Sequence, residues 1–329
     1  MSSKVNLFYQ EPDPDRWVPF DRYPRKLIRK VVRGKSRPGG QAMVFINLTK
    51  GLDKLAIPYR VNDFAFIKKH PEELACIIGK PHVLFERKWS NPVVFGASVF
   101  SHPIDYPRLL TEFPVKKVLV PGEWMRKMFE PYYNTLVQAW PVGTDTHYWT
   151  PADTEKKIDI LIYDKLYWDR DKYCNELLNP VIQFLERLGL KIEVLRYGSY
   201  HVEELLNKAR AAKAAIVLSA HETQGLAYQQ LLATNVPVFA WDRGGYWQDP
   251  EYYPHRVQFK EVSSVPYWDD RCGMKFRDWA GFKETFAPFW DDVRAGRFAP
   301  REYIMENLTL EKCAQQYVDI TRGLAHPGF

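Results

Sequence analysis

Short apolar runs alternate with helical patterns along this chain, and the alternation occurs twice within 329 residues. Such a rhythm is typical of α/β folds, in which strands and helices follow one another and the sheets are mainly parallel. Near-continuous apolar runs such as Val93–Phe100 suit strands that are covered on both faces. At about 150 residues per domain, the length corresponds to two domains. The sequence therefore predicts two Rossmann-like domains facing across a cleft, over residues 1–145 and 146–329.

The first half contains seven predicted strands and two predicted helices. The strands are Val5–Tyr9, Tyr59–Val61, Ile77–Ile78, Val83–Phe85, Val93–Phe100, Val118–Val120 and Leu136–Trp140. The helices are Gln41–Leu55 and Trp124–Tyr132, and apolar residues of the first recur at helical spacing. Turn formers from Pro141 to Ala152 then predict a linker.

The alternation restarts after this linker. The predicted strands are Ile158–Tyr163, Ile192–Tyr197, Ala215–Ser219 and Val236–Trp241. The predicted helices are Tyr173–Leu188, Val202–Ala212, Leu226–Thr234, Phe282–Ala295 and Leu310–Thr321. The two halves thus have the same architecture, and in doubly wound sheets ligands bind at the carboxyl ends of the strands.

Composition excludes several classes of protein. No apolar run approaches the roughly 18 residues of a membrane span, and the N-terminus has acidic residues where a signal peptide would be apolar. The four cysteines lie far apart without a C-x-x-C pair, which argues against a disulfide framework and a structural zinc site. We therefore expect a cytoplasmic protein.

One segment supplies the whole positive balance of the chain. Arg22–Arg37 contains eight Lys or Arg residues and no acid, and without them 38 basic residues face 40 acidic ones. Within it, Arg25–Arg33 can form a short basic amphipathic helix, which predicts peripheral binding to an anionic membrane surface. The alternative is a surface helix whose apolar side packs on the first domain. A nucleic-acid partner is not expected, because the rest of the chain is slightly acidic.

The most informative stretch runs from Ser219 to Val238. It reads as a buried strand, a polar turn and a helix that begins near Gly225, and Glu222 follows the carboxyl end of the strand. Unpaired N–H groups at a helix start suit an anionic or hydroxyl-rich ligand. The alternative makes Glu222 a capping residue and Gln230 a solvated polar position.

This stretch resembles the signature of the retaining glycosyltransferases of family four, which have the GT-B fold of two Rossmann-like domains. The family pattern is roughly Ser-x-x-Glu-Gly-Phe-Gly, later Glu-Ala, and finally Gly-x-Pro-Val. The matching residues are Ser219, Glu222, Gly225, Ala233, Pro237 and Val238. Three further segments are similar to the family: Pro141–Pro151, Asp242–Gly245 and Glu306–Glu311.

The resemblance implies a donor site on the second domain. Glu222 and the amides of Thr223, Gln224 and Gly225 would meet the donor sugar, and Gln230 stands where the family has the glutamate that binds the ribose. Gln keeps the acceptor oxygen and loses the charge.

The family also places an Arg and, about five residues later, a Lys at the donor diphosphate. Lys165 and Arg170 have that spacing with the types exchanged, and Lys172 is a substitute candidate. The alternative is a charged surface turn.

Two candidates lie in the first domain. Gly39 and Gly40 precede a helix, and the corresponding loop of the family approaches the donor phosphate. His102 follows the predicted strand Val93–Phe100 and could hold a donor hydroxyl or polarise the acceptor. The alternatives are a simple turn for the glycines and a histidine that satisfies backbone groups for His102.

By resemblance, the chain is a retaining, hexosyltransferase-like enzyme of carbohydrate or cell-envelope polysaccharide biosynthesis. The expected partners are a nucleotide-diphosphate sugar as donor and a glycan, lipid-linked or small-molecule acceptor. We expect no cofactor and no metal, since no Asp-x-Asp motif occurs where a metal would be held. A non-catalytic carbohydrate- or nucleotide-binding protein, and a nucleotide-sugar epimerase, are the alternatives.

Overall fold

The computed structural model describes residues 4–11, 39–97, 100–153 and 155–325. The chain forms two compact units, of which the first comprises residues 1–121, 129–142 and 313–329 and the second residues 122–128 and 143–312. The predicted division at residue 145 lies close to the change of unit at Val142, whereas the predicted terminal helix belongs to the first unit from Cys313 onward. The basic segment Arg22–Arg37 lies outside the described residues.

The described part of the first unit holds a sheet of six parallel strands. They are β1 (Val5–Phe8), β2 (Tyr59–Val61), β3 (Ala75–Ile77), β4 (Val93–Phe95), β5 (Val115–Val120) and β6 (Val137–Ala139). Their order across the sheet is β2-β1-β3-β4-β5-β6. The helices up to the linker are Gly40–Lys54, Phe64–Lys69, His82–Phe85, Leu109–Glu112 and Glu123–Tyr133.

The second unit holds a parallel sheet of five strands in its described residues. They are β7 (Ile158–Lys165), β8 (Ile192–Arg196), β9 (Ala212–Ser219), β10 (Val238–Trp241) and β11 (Gly273–Phe276). The α-helices that follow the linker are Arg170–Tyr173, Asn179–Arg187, Val202–Ala211, Leu226–Ala233, Trp279–Arg294, Pro300–Asn307 and Leu310–Ala325.

Strand order in the second sheet is β11-β10-β9-β7-β8. The chain therefore runs from β7 to β8 on one side and then returns to β9 on the other, so that the order reverses between β7 and β9. Such a reversal is the point at which doubly wound sheets bind ligands, beyond the carboxyl ends of the two strands. A buried aromatic layer that includes Phe239, Phe282 and Phe286 covers one face of this sheet, and it holds the strands that carry the site.

Several predicted elements need correction. Val83–Phe85 is part of the helix His82–Phe85 and is not a strand. A three-residue apolar run has no period of its own, and here Val83 and Leu84 are buried as helical neighbours while Phe85 is exposed. The strand predicted over Val93–Phe100 ends at Phe95.

The sequence prediction also missed β11 and the helices Phe64–Lys69 and Pro300–Asn307. β11 begins with Gly273, a residue that normally weakens a strand. Its φ is +135°, and a Cβ at this position would lie 2.0 Å from the carbonyl oxygen of Val238 on β10. The glycine is therefore required by the close approach of two strands. No helix in the described ranges has the length and apolar character to cross a bilayer.

Candidate functional site

Polar side chains collect at the point where the strand order reverses in the second unit. Lys165 is the last residue of β7 and lies opposite Ser219, the last residue of β9. Asp242 follows directly after β10. Because the strands are parallel, all three residues come to the same edge of the sheet. The polar residues that end or follow these strands therefore lie together along one edge of the sheet.

Glu222 is held in one orientation at this edge. Its Oε1 accepts a hydrogen bond of 3.0 Å from Ser219 Oγ, and its Oε2 accepts one of 2.8 Å from Lys165 Nζ. Its backbone is fixed as well, because its N–H donates to the Ser263 carbonyl and its own carbonyl accepts from Trp124 Nε1 at 2.8 Å. The Glu222 side chain keeps 11% of its surface exposed.

Lys165 is charged in this environment. Burial acts to lower its pKa, but the negative charge of Glu222 and the hydrogen bond to it outweigh burial, and the pKa is raised above its ordinary value. The ammonium also lies 4.8 Å from the centre of the Tyr197 ring, a favourable position for a cation. A quarter of the Lys165 side chain stays exposed.

His221 occupies an aromatic pocket beside Glu222. Trp247 Nε1 donates a hydrogen bond of 3.2 Å to His221 Nε2, and the Trp168 ring is stacked on the imidazole with centroids 4.9 Å apart. Burial, together with the charges of Lys165 and Arg243, lowers the pKa of His221 to about 3. The imidazole is therefore neutral at physiological pH. Since an indole nitrogen can only donate, the proton of the imidazole resides on Nδ1.

The polar turn ends at Gly225, where the helix Leu226–Ala233 begins. Gly225 has a φ of +72°, and a Cβ there would lie 2.0 Å from the Tyr228 ring. Only glycine fits this position, which brings the backbone of Thr223 and Gln224 to the edge of the sheet. Gln224 is buried, and its carbonyl accepts a hydrogen bond of 2.7 Å from Gln229. Gln230 lies half-buried on the same helix.

Arg170 is engaged by a carboxylate of its own segment. Its two terminal nitrogens donate to both oxygens of Asp164, at 3.0 and 2.7 Å, and Nη1 also donates to the Leu166 carbonyl. The Asp164 side chain is only 2% exposed, so this bidentate pair compensates a buried charge. Lys172 is exposed, with Nζ 5.5 Å from the centre of the Tyr173 ring. The two cations predicted beside Lys165 are thus placed differently: Arg170 in a structural ion pair and Lys172 at the surface.

The candidates of the first unit have local structural contacts. His102 is buried, and its Nδ1 accepts a hydrogen bond of 3.1 Å from the N–H of Ile104, at the start of a short 3₁₀ turn. Its ring meets Tyr132 edge-on at 5.4 Å. This contact satisfies a backbone group, and a role of His102 in binding donor or acceptor stays a prediction. Gly39 precedes the helix Gly40–Lys54, both glycines are exposed, and a Cβ on either would meet nothing within 4 Å.

Sequence reasoning did not single out His221, Arg243, Trp168 or Trp247. The motif pointed to Glu222 and passed over the histidine directly before it. Arg243 was noted only as part of the loop after β10. Its Nη2 donates to the carbonyl of Tyr246 at 2.8 Å. The position of His221 between the end of a strand and the motif glutamate could have indicated a site residue. Trp168 and Trp247 contact it from other segments of the chain, and the sequence gives no signal for them.

Within the described part of the chain, no group of three or more His, Cys, Asp and Glu residues is arranged to hold a metal ion. The expectation of a metal-independent protein without a cofactor stays a prediction.

No protein-family model and no curated protein matches the chain in sequence. Solved structures of GT-B glycosyltransferases match its fold. The predicted GT-B fold is thereby confirmed, while membership of family four stays a prediction.

Three solved structures illustrate the likeness. Sucrose-phosphate synthase from Thermosynechococcus elongatus matches with a TM-score of 0.54 and 14% identity, over 98% of this chain and 98% of that one. A chain of the GtfA/B complex matches with a TM-score of 0.52 and 16% identity, over 79% of this chain and 59% of that one. The pneumococcal O-GlcNAc transferase GtfA, in complex with UDP and GlcNAc, matches with a TM-score of 0.51 and 14% identity, over 80% and 59%. This chain thus spans about three fifths of the length of the GtfA/B chain and of the pneumococcal GtfA.

Proposed function

We propose that the chain is a glycosyltransferase that moves a sugar from a nucleotide-diphosphate sugar to an acceptor. One observation carries the proposal: Lys165, Ser219 and Glu222 form a hydrogen-bonded cluster at the strand reversal of a sheet with the GT-B fold. The presence of UDP and a sugar in the complex of the similar O-GlcNAc transferase supports the same class of ligand.

The chemistry that this cluster would perform follows from its charges. When the bond between the sugar and the diphosphate breaks, negative charge develops on the diphosphate, and a cation fixed in a poorly hydrated site stabilises it. Lys165 is such a cation, because its raised pKa keeps it protonated through the neutral range. Glu222, oriented by Ser219 and Lys165, would accept a hydrogen bond from a hydroxyl of the donor sugar.

The helix start would serve the rest of the donor. The amides of Thr223, Gln224 and Gly225 are at the positive end of the helix dipole and suit anionic oxygens. Gln230 would accept a hydrogen bond from the ribose through its amide oxygen. We propose retention of the anomeric configuration, with the acceptor attacking from the face that the diphosphate leaves, as the resemblance of residues 219–238 implies. We also propose that no metal takes part, with Lys165 in its place.

A donor screen tests the proposal. Nucleotide sugars with different bases are compared by thermal unfolding, where a ligand at a hundred times its dissociation constant raises the free energy of unfolding by about 2.7 kcal/mol. The donor that stabilises the protein is then incubated with candidate acceptors, with and without EDTA. Transfer that survives EDTA supports glycosyl transfer without a metal, and transfer that EDTA abolishes removes the metal-independent part of the proposal.

Other outcomes point to other functions. Release of an altered free sugar without an acceptor would indicate an epimerase. Binding without turnover for any acceptor would indicate a non-catalytic binding protein. If no nucleotide sugar and no nucleoside diphosphate stabilises the fold, the proposed function is wrong.

The acceptor side of the proposal concerns the basic segment Arg22–Arg37, which lies outside the described residues. We propose that it holds the protein on an anionic membrane surface near a lipid-linked acceptor, since each basic residue contributes roughly 1 kcal/mol at such a surface. In liposome flotation we expect binding to anionic vesicles that is lost in high salt and after Arg25, Lys26, Arg29 and Lys30 are changed to Glu. Absence of binding at low salt would leave a soluble acceptor.

A further inference from the structure

Two buried N–H donors at the site have no hydrogen-bond partner. They are Nδ1 of His221 and Nε of Arg243, and both atoms are covered by protein atoms, so that a ligand reaches them only when the covering side chains shift. A buried donor without an acceptor is unfavourable, and native structures rarely leave one. The two side chains are close enough for the Arg243 charge to act on the imidazole, and the described residues supply an acceptor to neither donor.

The His221 ring is held so that this donor is fixed. Trp247 donates to Nε2 at 3.2 Å, which places the ring proton on Nδ1. The Trp168 ring covers one face at an interplanar angle of 26°, and the Trp124 ring meets the imidazole edge-on at 5.7 Å. Turning the imidazole would give up the bond to Trp247, so the Nδ1–H keeps its direction.

Arg243 brings an uncompensated positive charge. Its neighbour Asp242 is already engaged, because it accepts hydrogen bonds from Ser264 and from Lys275, the latter at 3.1 Å. Among the described residues, no carboxylate lies within ion-pair distance of the Arg243 guanidinium. Glu222 is paired with Lys165. The Arg243 charge is therefore left without a carboxylate partner among the described residues, and an acceptor with negative charge fits it better than a neutral hydroxyl.

We propose that His221 Nδ1–H and Arg243 Nε–H bind phosphoryl oxygens of the diphosphate part of the donor, an assignment that rests on the proposed function. A phosphoryl oxygen is a strong, charged acceptor that satisfies both donors and neutralises the guanidinium. The electrostatics agree, since the charges of both Lys165 and Arg243 act on the imidazole and keep it neutral. His221 thus serves as a hydrogen-bond donor that carries no charge, and Arg243 supplies the cation that the sequence had assigned to Arg170.

The test compares two isosteric variants of one residue by titration calorimetry with UDP, GDP and ADP, and with uridine, guanosine and adenosine. Asn at position 221 places its amide nitrogen near Nδ1, whereas Gln places its amide near Nε2. We therefore expect His221→Gln to weaken binding of the diphosphate about tenfold or more and His221→Asn to retain it. Binding of the nucleoside should be the same in both variants.

Arg243→Lys supplies the second arm. It keeps the positive charge and removes the planar N–H group, so we expect weaker diphosphate binding with an unchanged nucleoside affinity. His201→Gln is the matched control, because it makes the same change of His to Gln at a position outside the proposed site, before the helix Val202–Ala211. Thermal unfolding of each variant establishes that it is folded at the temperature of the titration.

The outcomes separate the inference from the proposed function. If the unmodified protein binds a diphosphate and both His221→Gln and Arg243→Lys bind it equally well, the inference is wrong and the proposed function stands. If His221→Asn loses as much affinity as His221→Gln, the imidazole acts by packing and the inference is also wrong. If the unmodified protein binds no nucleoside diphosphate, the inference is wrong, and the proposed function is overturned as well if no nucleotide sugar binds either.

Discussion

Lys165 Nζ donates a hydrogen bond of 2.8 Å to Glu222 Oε2, and this bond joins the end of one strand to the turn that follows its neighbour. The pair is only partly exposed, with 25% of the Lys165 side chain and 11% of the Glu222 side chain accessible. Each charge is therefore fixed by the other at the edge where the strand order reverses. A ligand that enters meets both in a set orientation, which is the preorganisation that transition-state stabilisation requires.

Changing Glu222 to Ala is expected to lower turnover by about two to three orders of magnitude and to leave the fold intact. In the proposed function Glu222 orients the donor sugar, and the loss of its partly buried pair with Lys165 lowers the free energy of unfolding without unfolding the protein. Initial rates and thermal unfolding are measured together. Glu261→Ala is the control, because it breaks an exposed pair with Lys127 of the same 2.8 Å length. Normal turnover by Glu222→Ala would show that the carboxylate has no part in the reaction.

Arg170→Met is expected to destabilise the protein by about 3–5 kcal/mol, because it leaves the buried carboxylate of Asp164 without a partner. Adding Asp164→Asn to this variant should restore much of the loss, since no buried charge then remains. Urea unfolding gives both values. Were Arg170→Met as stable as the unmodified protein but impaired in diphosphate binding, the residue would be the diphosphate cation that the sequence predicted.

The sequence was sufficient for the features that are local along the chain. Two runs of alternating strands and helices predicted the fold class, and the turn from Ser219 to Gly225 singled out Glu222, whose role stays a prediction. Lys165 and Arg170 were paired by their spacing, and spacing carries no information on what a guanidinium will contact. Asp164 is an inward-facing residue of β7, and the competition between it and a ligand for Arg170 exists only after folding.

The same limit explains why the sequence did not single out His221. Its neighbours Trp168, Trp247 and Trp124 come from three separate segments, and its low pKa is a product of that enclosure. A histidine in a polar turn has no such property in the sequence. β11 was missed for a related reason, since Gly273 is demanded by the approach of Val238 and appears in the sequence only as a poor strand former.

Gly225→Ala is expected to destabilise the protein by about 1–3 kcal/mol more than Gly189→Ala. Both glycines have positive φ, +72° and +70°, so both variants suffer the same backbone strain of roughly 1–2 kcal/mol. A Cβ at Gly225 would in addition overlap the Tyr228 ring, whereas a Cβ at Gly189 would meet nothing within 4 Å. Urea unfolding of the two variants isolates the overlap. Equal losses would mean that the Tyr228 ring moves aside freely.

The stability of the protein should fall in acid partly through His221. In the unfolded chain its imidazole takes up a proton as the pH drops through its ordinary pKa of 6.5, but in the folded protein it does so only near pH 3, because burial and the charges of Lys165 and Arg243 oppose it. Between these values the unfolded state binds more protons, so the free energy of unfolding decreases as the pH falls, by up to about 1.4 kcal/mol per pH unit from this residue. His221→Asn removes the contribution, and carboxylates common to both proteins cancel in the difference. Unfolding is measured in steps from about pH 7.5 to about pH 4, roughly the range that the linkage covers. We expect the free energies of unfolding of the two proteins to converge as the pH falls. Parallel profiles would show that His221 is protonated normally in the folded protein.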